Sequence, residues 1–150
     1  MTYSKKTKPS VIAITDLDAA YGKLPPQAIE VEEAVLGALM LEPYAIFKVT
    51  GIISEESFYK SEHQLIFKTV LELSDSGKVI DLLTVTMRLK DNGNLEEIGG
   101  PAYITKLTRR VASAAHIEHH SRTIADKYLA REVIRRCTLL INVAYQDNDD

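Results

Sequence analysis

The stretch Leu24-Pro-Pro-Gln-Ala-Ile-Glu-Val-Glu-Glu-Ala-Val-Leu-Gly-Ala-Leu-Met40 decides the fold of this chain. Its two prolines end an irregular segment. Glu30, Glu32 and Glu33 then fall in the first turn of a helix, where the helix dipole favours negative charge. Apolar residues follow at helical spacing and beside it, so the predicted helix is apolar almost all round and should lie deep in a core. Pro43 should end it.

Further helix signals continue along the chain after this first helix. A short helix is predicted over 44–53, followed by a capped turn over 54–59 that delivers Phe58 and Tyr59 to the core. The next helix is opened by a Ser61–Gln64 capping box and stops before Gly77, and another is capped by Thr84, runs through Leu89 and ends at Gly93. A single turn over 95–98 and a helix from Pro101 to about Arg110 complete the series. Residues 84–86 alone are β-rich and are too few for a sheet. The chain is therefore predicted to be all-α.

A long helix is predicted at the C-terminal end, because 113–145 contains neither Gly nor Pro. One apolar stripe is led by Ile117 and a second begins at Leu129. A continuous helix here would be about 45 Å long, and whether it breaks near Lys127 stays open. A small bundle cannot cover that length, so part of it should bury its apolar face against another chain or a returning helix. The predicted organisation is a flexible tail (1–23, with a short ordered piece at 11–13), a helical head (24–112) and the long helix (113–150).

The composition is typical of a soluble globular protein: 150 residues, 45% apolar and 26% charged, with a net charge of −3. The longest apolar run, Ala34–Leu41, is far shorter than the ~20 residues that span a bilayer. No secretion signal is indicated, since the N-terminal segment has lysines but no long apolar region. The single Cys137 excludes an intramolecular disulfide and favours a reducing, cytoplasmic location; its expected role is that of a small core or interface hydrophobe.

Charge is unevenly distributed, with a net −7 over 25–100 and +5 over 101–146. The simpler interpretation is two solvated helical faces; the alternative is packing against a second copy or an acidic partner. The basic residues also admit direct DNA binding, although aromatic residues between them are nearly absent. They are Lys106, Arg109, Arg110, Arg122, Lys127, Arg131, Arg135 and Arg136.

Catalytic and nucleotide-binding patterns are absent from the sequence. The pairs Gly22-Lys23 and Gly77-Lys78 are followed by aliphatic residues, and neither completes the G-x-x-x-x-G-K-[ST] pattern of a phosphate loop. Paired carboxylates at 55–56 and 96–97 lie at predicted helix starts or turns, where capping is their expected role. We therefore expect no catalytic residue and no cofactor in this chain.

Three histidines, His116, His119 and His120, have the i, i+3 and i+4 spacing that places imidazoles on one helical face and could hold zinc. No cysteine is close in sequence, and the local carboxylate, Glu118, points elsewhere on the helix. Structural or solvated histidines are the simpler interpretation. We predict no metal site and leave the role of the three imidazoles open.

A series of short motifs in a fixed order extends over most of the chain. The motifs are Pro25-Pro26-Gln27 with Ile29, Glu30 and Glu32; Val35-Leu36-Gly37-Ala38; Phe58-Tyr59; His63; Ile66-Phe67; Asp81-Leu82 with Thr84; Leu95-Glu96-Glu97-Ile98-Gly99-Gly100; Ala102-Tyr103; Ser113-Ala114-Ala115; and Ile117-Glu118. Their order and spacing resemble the N-terminal domain of the bacterial replicative DNA helicase of the DnaB type, over about 24–146. The departures from the family pattern, at Ala112, His116 and His119-His120, are confined to the start of the long helix.

The resemblance implies a compact head of about six helices, followed by a helical hairpin whose first arm is the long helix. It implies a non-catalytic collar domain that dimerises through its hairpins, supports a hexameric ring and docks the primase, with a helicase loader as a further candidate partner. It implies no contact with a membrane. The second hairpin arm and the RecA-like ATPase domain, with its ATP, Mg²⁺ and DNA contacts, are expected after Asp150. On that basis the fragment should neither hydrolyse ATP nor unwind DNA.

The resemblance also places primase contact near the tyrosine of Gly-Gly-x-x-Tyr and on the first hairpin helix. Carried over to this sequence, it nominates Tyr103, Ile134 and Leu140 as partner-binding residues, for primase or for a neighbouring subunit. The alternatives are a core tyrosine at Tyr103 and hairpin or intramolecular packing at the other two positions. A small basic helical module that binds DNA directly is the alternative function.

Overall fold

Residues 22–111 and 113–146, the part of the chain described by the computed structural model, form six α-helices and one 3₁₀ helix and contain no strand. The helices are α1 (Ile29–Leu41), α2 (Ile46–Val49), the 3₁₀ helix (Glu55–Ser57), α3 (Ser61–Asp75), α4 (Leu82–Asp91), α5 (Gly100–Arg109) and α6 (Ile117–Gln146). The prediction of an all-α chain with a long last helix is confirmed. The predicted tail, including its piece at 11–13, lies outside the described residues up to residue 21.

Two units make up the chain, and 26–129 is the larger one, packed around a single apolar core. Every helix from α1 to α5 contributes to this core, and so do the first turns of α6. Its large side chains that are less than 2% exposed include Phe58, Phe67, Leu36, Leu89 and Ile104. Of the described residues, 22–25 and 130–146 belong to the second unit.

Helix α1 is buried on nearly every side, as its sequence predicts. Leu36 and Leu39 are fully buried, yet Glu32 and Glu33 of the same helix are only 1% and 4% exposed. A dipole interaction at an exposed helix end does not require two carboxylates to leave water. Their burial therefore indicates specific partners elsewhere in the fold.

Helices α1 and α5 cross at very short range, at a position where α1 has a glycine. A Cβ built on Gly37 would overlap the carbonyl oxygen of Leu107 and lie 2.9 Å from Cγ2 of Val111. Only a residue without a side chain allows this backbone-to-backbone approach. The crossing brings the carboxylates of α1 to the same side of the core as the polar residues of α5.

Two helix starts differ from their predicted caps. Ser61 is the first residue of α3 rather than its cap, and Gln64 donates from Nε2 to the carbonyl oxygen of Phe58 at 2.8 Å instead of closing a capping box. Helix α4 is capped by Asp81, whose Oδ1 accepts from the N–H of Thr84 at 2.8 Å. Thr84 is the third residue of the helix and closes that capping box, because an aspartate three residues earlier is the better N-terminal acceptor.

The predicted stop at Gly77 is found, whereas the predicted turn over 54–59 buries only one of its two aromatic side chains. Gly77, with φ +63°, follows α3 at the left-handed position that a glycine stop requires, and Gly99, with φ +101°, precedes α5. In the turn over 54–59, Phe58 is buried but Tyr59 is 38% exposed. The prediction that this turn sends both aromatics into the core is therefore wrong for the second one.

Helix α6 is continuous through Lys127 and comprises 30 residues, which corresponds to about 45 Å. Within 26–129, its Ile117 and Ile124 are buried. From residue 130 onward its side chains are mostly exposed, and Cys137 is a free, exposed thiol rather than a core residue. No helix in the described ranges has both the length and the apolar character needed to cross a membrane.

Candidate partner-binding site

A connected set of polar side chains from α1, α3, α5 and the residue after α5 runs from the core of the 26–129 unit to its surface. The set, called the polar relay below, consists of Glu32, Glu33, His63, Tyr103, Lys106 and Arg110.

Glu32 and His63 form the buried end of the polar relay. The Oε1 atom of Glu32 accepts from the backbone N–H of Tyr59 at 2.7 Å, and its Oε2 lies 2.5 Å from Nδ1 of His63. The imidazole is fully buried. A carboxylate accepts but does not donate, so Nδ1 carries a hydrogen and donates it. Both carboxylate oxygens therefore have a donor, as a buried charge requires.

Tyr103 connects this buried pair to the surface. Its hydroxyl oxygen lies 2.7 Å from Nε2 of His63 and 3.4 Å from Oε1 of Glu33. The ring stacks on the imidazole, with 6.1 Å between centroids and 13° between planes. Burial, followed by the negative charge of Glu33, raises the pKa of Tyr103 to about 12, so the hydroxyl keeps its hydrogen at neutral pH. The ammonium groups of Lys60 and Lys106 lie 5.6 Å and 5.3 Å from the ring centroid, within cation–π range.

Glu33 holds the outer end of the polar relay. Its Oε1 accepts from Nζ of Lys106 at 3.1 Å, and its Oε2 accepts from Nη1 of Arg110. Burial alone would raise the pKa of this carboxyl, but the hydrogen bond and charge of Lys106 and the charge of Arg110 together lower it below the usual value. Glu33 is therefore ionised, and it holds Arg110 and Lys106, of which Lys106 lies over the Tyr103 ring.

The lowered pKa of Glu33 predicts a pH-dependent contribution to stability. A carboxyl whose pKa is lower in the folded state stabilises the protein above its unfolded pKa, and this contribution is lost as the pH falls through the folded pKa. Replacing Glu33 by Gln should reduce the free energy of unfolding by about 1 kcal/mol at pH 7, a small value because both cationic partners are half exposed. Urea unfolding should show that this deficit shrinks between about pH 5 and pH 3. Glu30→Gln, at an exposed position of α1, is the control, and a deficit that is equally large at both ends of the range would contradict the expectation.

Of the nominated partner-binding residues, Tyr103 lies in the polar relay, half-buried with its hydroxyl turned inward. Ile134 and Leu140 lie on the part of α6 that begins at residue 130. Ile134 is half-buried and its carbonyl oxygen accepts from the Thr138 hydroxyl at 2.8 Å, whereas Leu140 is 69% exposed. Their role in partner binding stays a prediction.

The histidine cluster and the basic series have different surroundings. The rings of His116 and His119 lie 6.3 Å and 6.1 Å from that of His120, whose pKa is lowered by burial and by the two neighbouring imidazoles. Within 22–111 and 113–146, no three His, Cys, Asp or Glu side chains are grouped as metal ligands would be.

Several of the basic residues are engaged in ion pairs: Lys106 and Arg110 with Glu33, and Arg135 and Arg136 with Glu132. These pairs reduce the positive charge available to a phosphate backbone.

Sequence reasoning singled out Tyr103 but missed the residues that position it. A signal was present: two carboxylates stand at the start of a helix that is predicted to be buried on every side. Such carboxylates need internal partners, and His63 and Lys106 are polar residues that could supply them. The separations of 31 and 73 residues between partners are what local sequence patterns do not reveal.

Comparison with known proteins agrees with this fold. Residues 24–126 match the family model described as the DnaB-like helicase N terminal domain. The chain is 43% identical over 150 residues to the replicative DNA helicase DnaB of Rhodothermus marinus, covering all of this chain and 16% of that protein. It is 40% identical over 128 residues to the DnaB helicase of Geobacillus stearothermophilus, covering 85% of this chain and 28% of that protein. The chain thus spans less than a third of the length of these relatives.

Solved structures show the same likeness. The N-terminal domain of DnaB helicase from Mycobacterium tuberculosis superimposes with a TM-score of 0.79 at 31% identity, covering 81% of this chain and 88% of that chain. A DnaB-like replicative helicase, whose structure was described together with its interactions with primase, gives 0.68 at 27% identity, covering 76% of this chain and 26% of that chain. The matched range, the sequence identities and the shared helical fold lead to one conclusion: this chain belongs to the DnaB-like helicase N-terminal domain family.

Proposed function

We propose that this chain is a non-catalytic collar domain of a replicative DNA helicase, which self-associates and docks the primase. Family membership and the likeness to a helicase described with its interactions with primase support the proposal. The observation that carries it is the placement of Tyr103, a half-buried aromatic ring flanked by two ammonium groups and fixed from below by His63. A helicase loader is a further candidate partner of the collar domain, whereas ATP and Mg²⁺ binding, hydrolysis and DNA contact would belong to a longer protein.

The Tyr103 region has the physical character of a protein-binding anchor. Tyrosine is one of the residue types enriched among the residues that dominate binding energy at interfaces. The hydrogen bond to His63 and the ring stacking fix the Tyr103 side chain before a partner arrives. A fixed side chain loses less conformational entropy on binding, so the same contact area gives a higher affinity.

The exposed part of α6 supports self-association. Val133, Leu140 and Val143 are 52%, 69% and 52% exposed and follow each other at separations of seven and three residues. This is the spacing of one seam of a coiled coil, where apolar residues of two helices interlock. An apolar row of this kind in water is typical of an interface. Ile134 and Ile141, also seven residues apart, adjoin the row.

The docking role is tested by titration calorimetry with the C-terminal domain of the cognate primase. We expect Tyr103→Ala and Ile134→Asp to weaken binding about tenfold or more, as truncation of an interface anchor does, without unfolding the 26–129 unit. Tyr44→Ala is the matched control, because Tyr44 is 78% exposed and outside the polar relay. Unchanged affinity of the folded Tyr103→Ala protein would refute the site.

The self-association role is tested by sedimentation equilibrium over a wide concentration range. The chain should dimerise reversibly, and Leu140→Asp should raise the dimer dissociation constant at least about tenfold, since it places a charge in an apolar seam. Leu83→Asp is the control, because Leu83 is a similarly exposed leucine, 63% accessible, on α4. A wild-type chain that is monomeric at every concentration would exclude α6 as a sufficient interface.

A further inference from the structure

The Tyr103 hydroxyl lies between two acceptors but has a single hydrogen to donate. One candidate acceptor is Nε2 of His63 at 2.7 Å, and the other is Oε1 of Glu33 at 3.4 Å. Nδ1 of His63 already donates to Glu32. In the neutral imidazole Nε2 is therefore an acceptor, and in the imidazolium it is a donor. The protonation state of His63 thus decides which acceptor is open to the Tyr103 hydrogen.

We propose that His63 is a pH-sensitive positioning residue for Tyr103: neutral His63 accepts the hydroxyl hydrogen, and protonated His63 donates to the hydroxyl oxygen and turns that hydrogen towards Glu33. A proton enters at Nε2, no covalent bond other than that N–H forms, and the hydroxyl rotates about its C–O bond. The binding consequence described below rests on the proposed docking role, whereas the rotation itself does not.

The rotation changes the outer end of the polar relay. When the hydroxyl donates to Glu33, Oε1 is shared between Tyr103 and the Lys106 ammonium, which now lies 3.1 Å away. Sharing one oxygen weakens the hold on Lys106, whose side chain is already 46% exposed. Lys106 also lies over the Tyr103 ring, so the surface that faces a partner becomes less fixed. A less fixed surface binds more weakly.

The charged groups around His63 come from each neighbouring helix. Glu32 and Glu33 face it from α1, Tyr103 and Lys106 from α5, and Lys60 and Glu62 lie at the start of its own helix. Phe58 packs edge-on against the imidazole at 6.4 Å between centroids. Carboxylates and ammonium groups therefore both lie around the imidazole.

Carbon-13 NMR of the isolated chain tests the rotation without any partner. Replacing His116, His119 and His120 by Gln leaves one imidazole, so His63 is assigned without altering it. We expect the Cζ signal of Tyr103 to shift with a midpoint within about 0.3 pH unit of the His63 midpoint, as coupled groups do. A His63 that does not titrate between about pH 5 and pH 8, or a Tyr103 signal that is unaffected when it does, would overturn the proposal.

Primase titration as a function of pH tests the consequence. Wild-type affinity should fall about threefold between pH 8 and pH 5.5 relative to that of Tyr103→Phe, which keeps the ring but has no hydroxyl to rotate, a change on the scale of one hydrogen bond. Using the same primase with both proteins cancels titration of the primase itself. Parallel pH profiles for the two proteins would overturn the coupling to binding. If neither protein binds primase while the NMR shift is present, the docking role fails and the rotation stands.

Discussion

Gly37→Ala should destabilise the 26–129 unit by about 3 kcal/mol, the upper end of what forced overpacking costs. The added Cβ would overlap the backbone carbonyl of Leu107 and press on Val111 Cγ2 at 2.9 Å. A valine methyl can move aside, but a helix carbonyl in the core cannot move without displacing all of α5. Separation of α1 from α5 would also pull the Glu33 carboxylate away from Lys106, which adds to the loss.

Urea unfolding followed by circular dichroism measures this effect. Gly51→Ala is the matched control, since no atom lies within 4 Å of a Cβ at Gly51 and its backbone does not occupy the left-handed region. The control should change the free energy of unfolding by less than about 0.5 kcal/mol. A Gly37→Ala protein as stable as the control would mean that the two helices separate freely and that their close crossing contributes nothing.

Glu32→Ala should lower the free energy of unfolding by about 3 kcal/mol, the scale on which removal of a buried carboxylate that accepts two hydrogen bonds acts. The substitution takes the acceptor away from Nδ1 of His63 and from the N–H of Tyr59, in a place that is closed to water. It also leaves a small cavity next to α3. Both consequences act in the same direction.

Thermal unfolding gives a direct measurement of the Glu32 effect, and we expect a decrease in Tm of about 10 °C for a chain of this size. Glu30→Ala removes the same carboxylate from an exposed position in the same helical turn and should change Tm by only about 1 °C or 2 °C. Glu32→Gln should fall between the two, because an amide oxygen still accepts one hydrogen bond. Equal effects of the Glu30 and Glu32 substitutions would show that Glu32 stabilises the fold through the dipole of α1 rather than through its contact with His63.

Local sequence patterns predicted the helices of this fold well, because the signals that start and end a helix act over a few residues. Gly77 and Gly99 adopt the left-handed backbone conformation that other residues avoid. The segment after Ser113, which contains neither Gly nor Pro, forms α6 as one helix. Caps were less predictable. At Asp81 and Thr84, two side chains three residues apart could each fill the cap, and Asp81 is the one that does so.

The candidate site was predictable only in part, for a physical reason. Tyr103 follows from the family resemblance, and nothing in its neighbours along the chain indicates its contacts with His63 or Glu33. Those contacts join helices that are far apart in sequence. The acidic start of α1 looked like a dipole signal, but Glu32 and Glu33 are buried carboxylates with internal partners. Buried and exposed carboxylates become distinguishable only once the core is assembled.

Cys137 gives the exposed arm of α6 a practical use. It is the only cysteine among 150 residues, and its side chain is exposed, so a maleimide-linked spin label would attach at one point of the chain. In an associated pair, the distance between two such labels reports the direction of pairing. Helices that run side by side in the same direction place equivalent thiols close together, whereas opposed helices separate them according to their overlap. Labelling this single thiol therefore allows parallel and antiparallel pairing of α6 to be distinguished by one distance measurement.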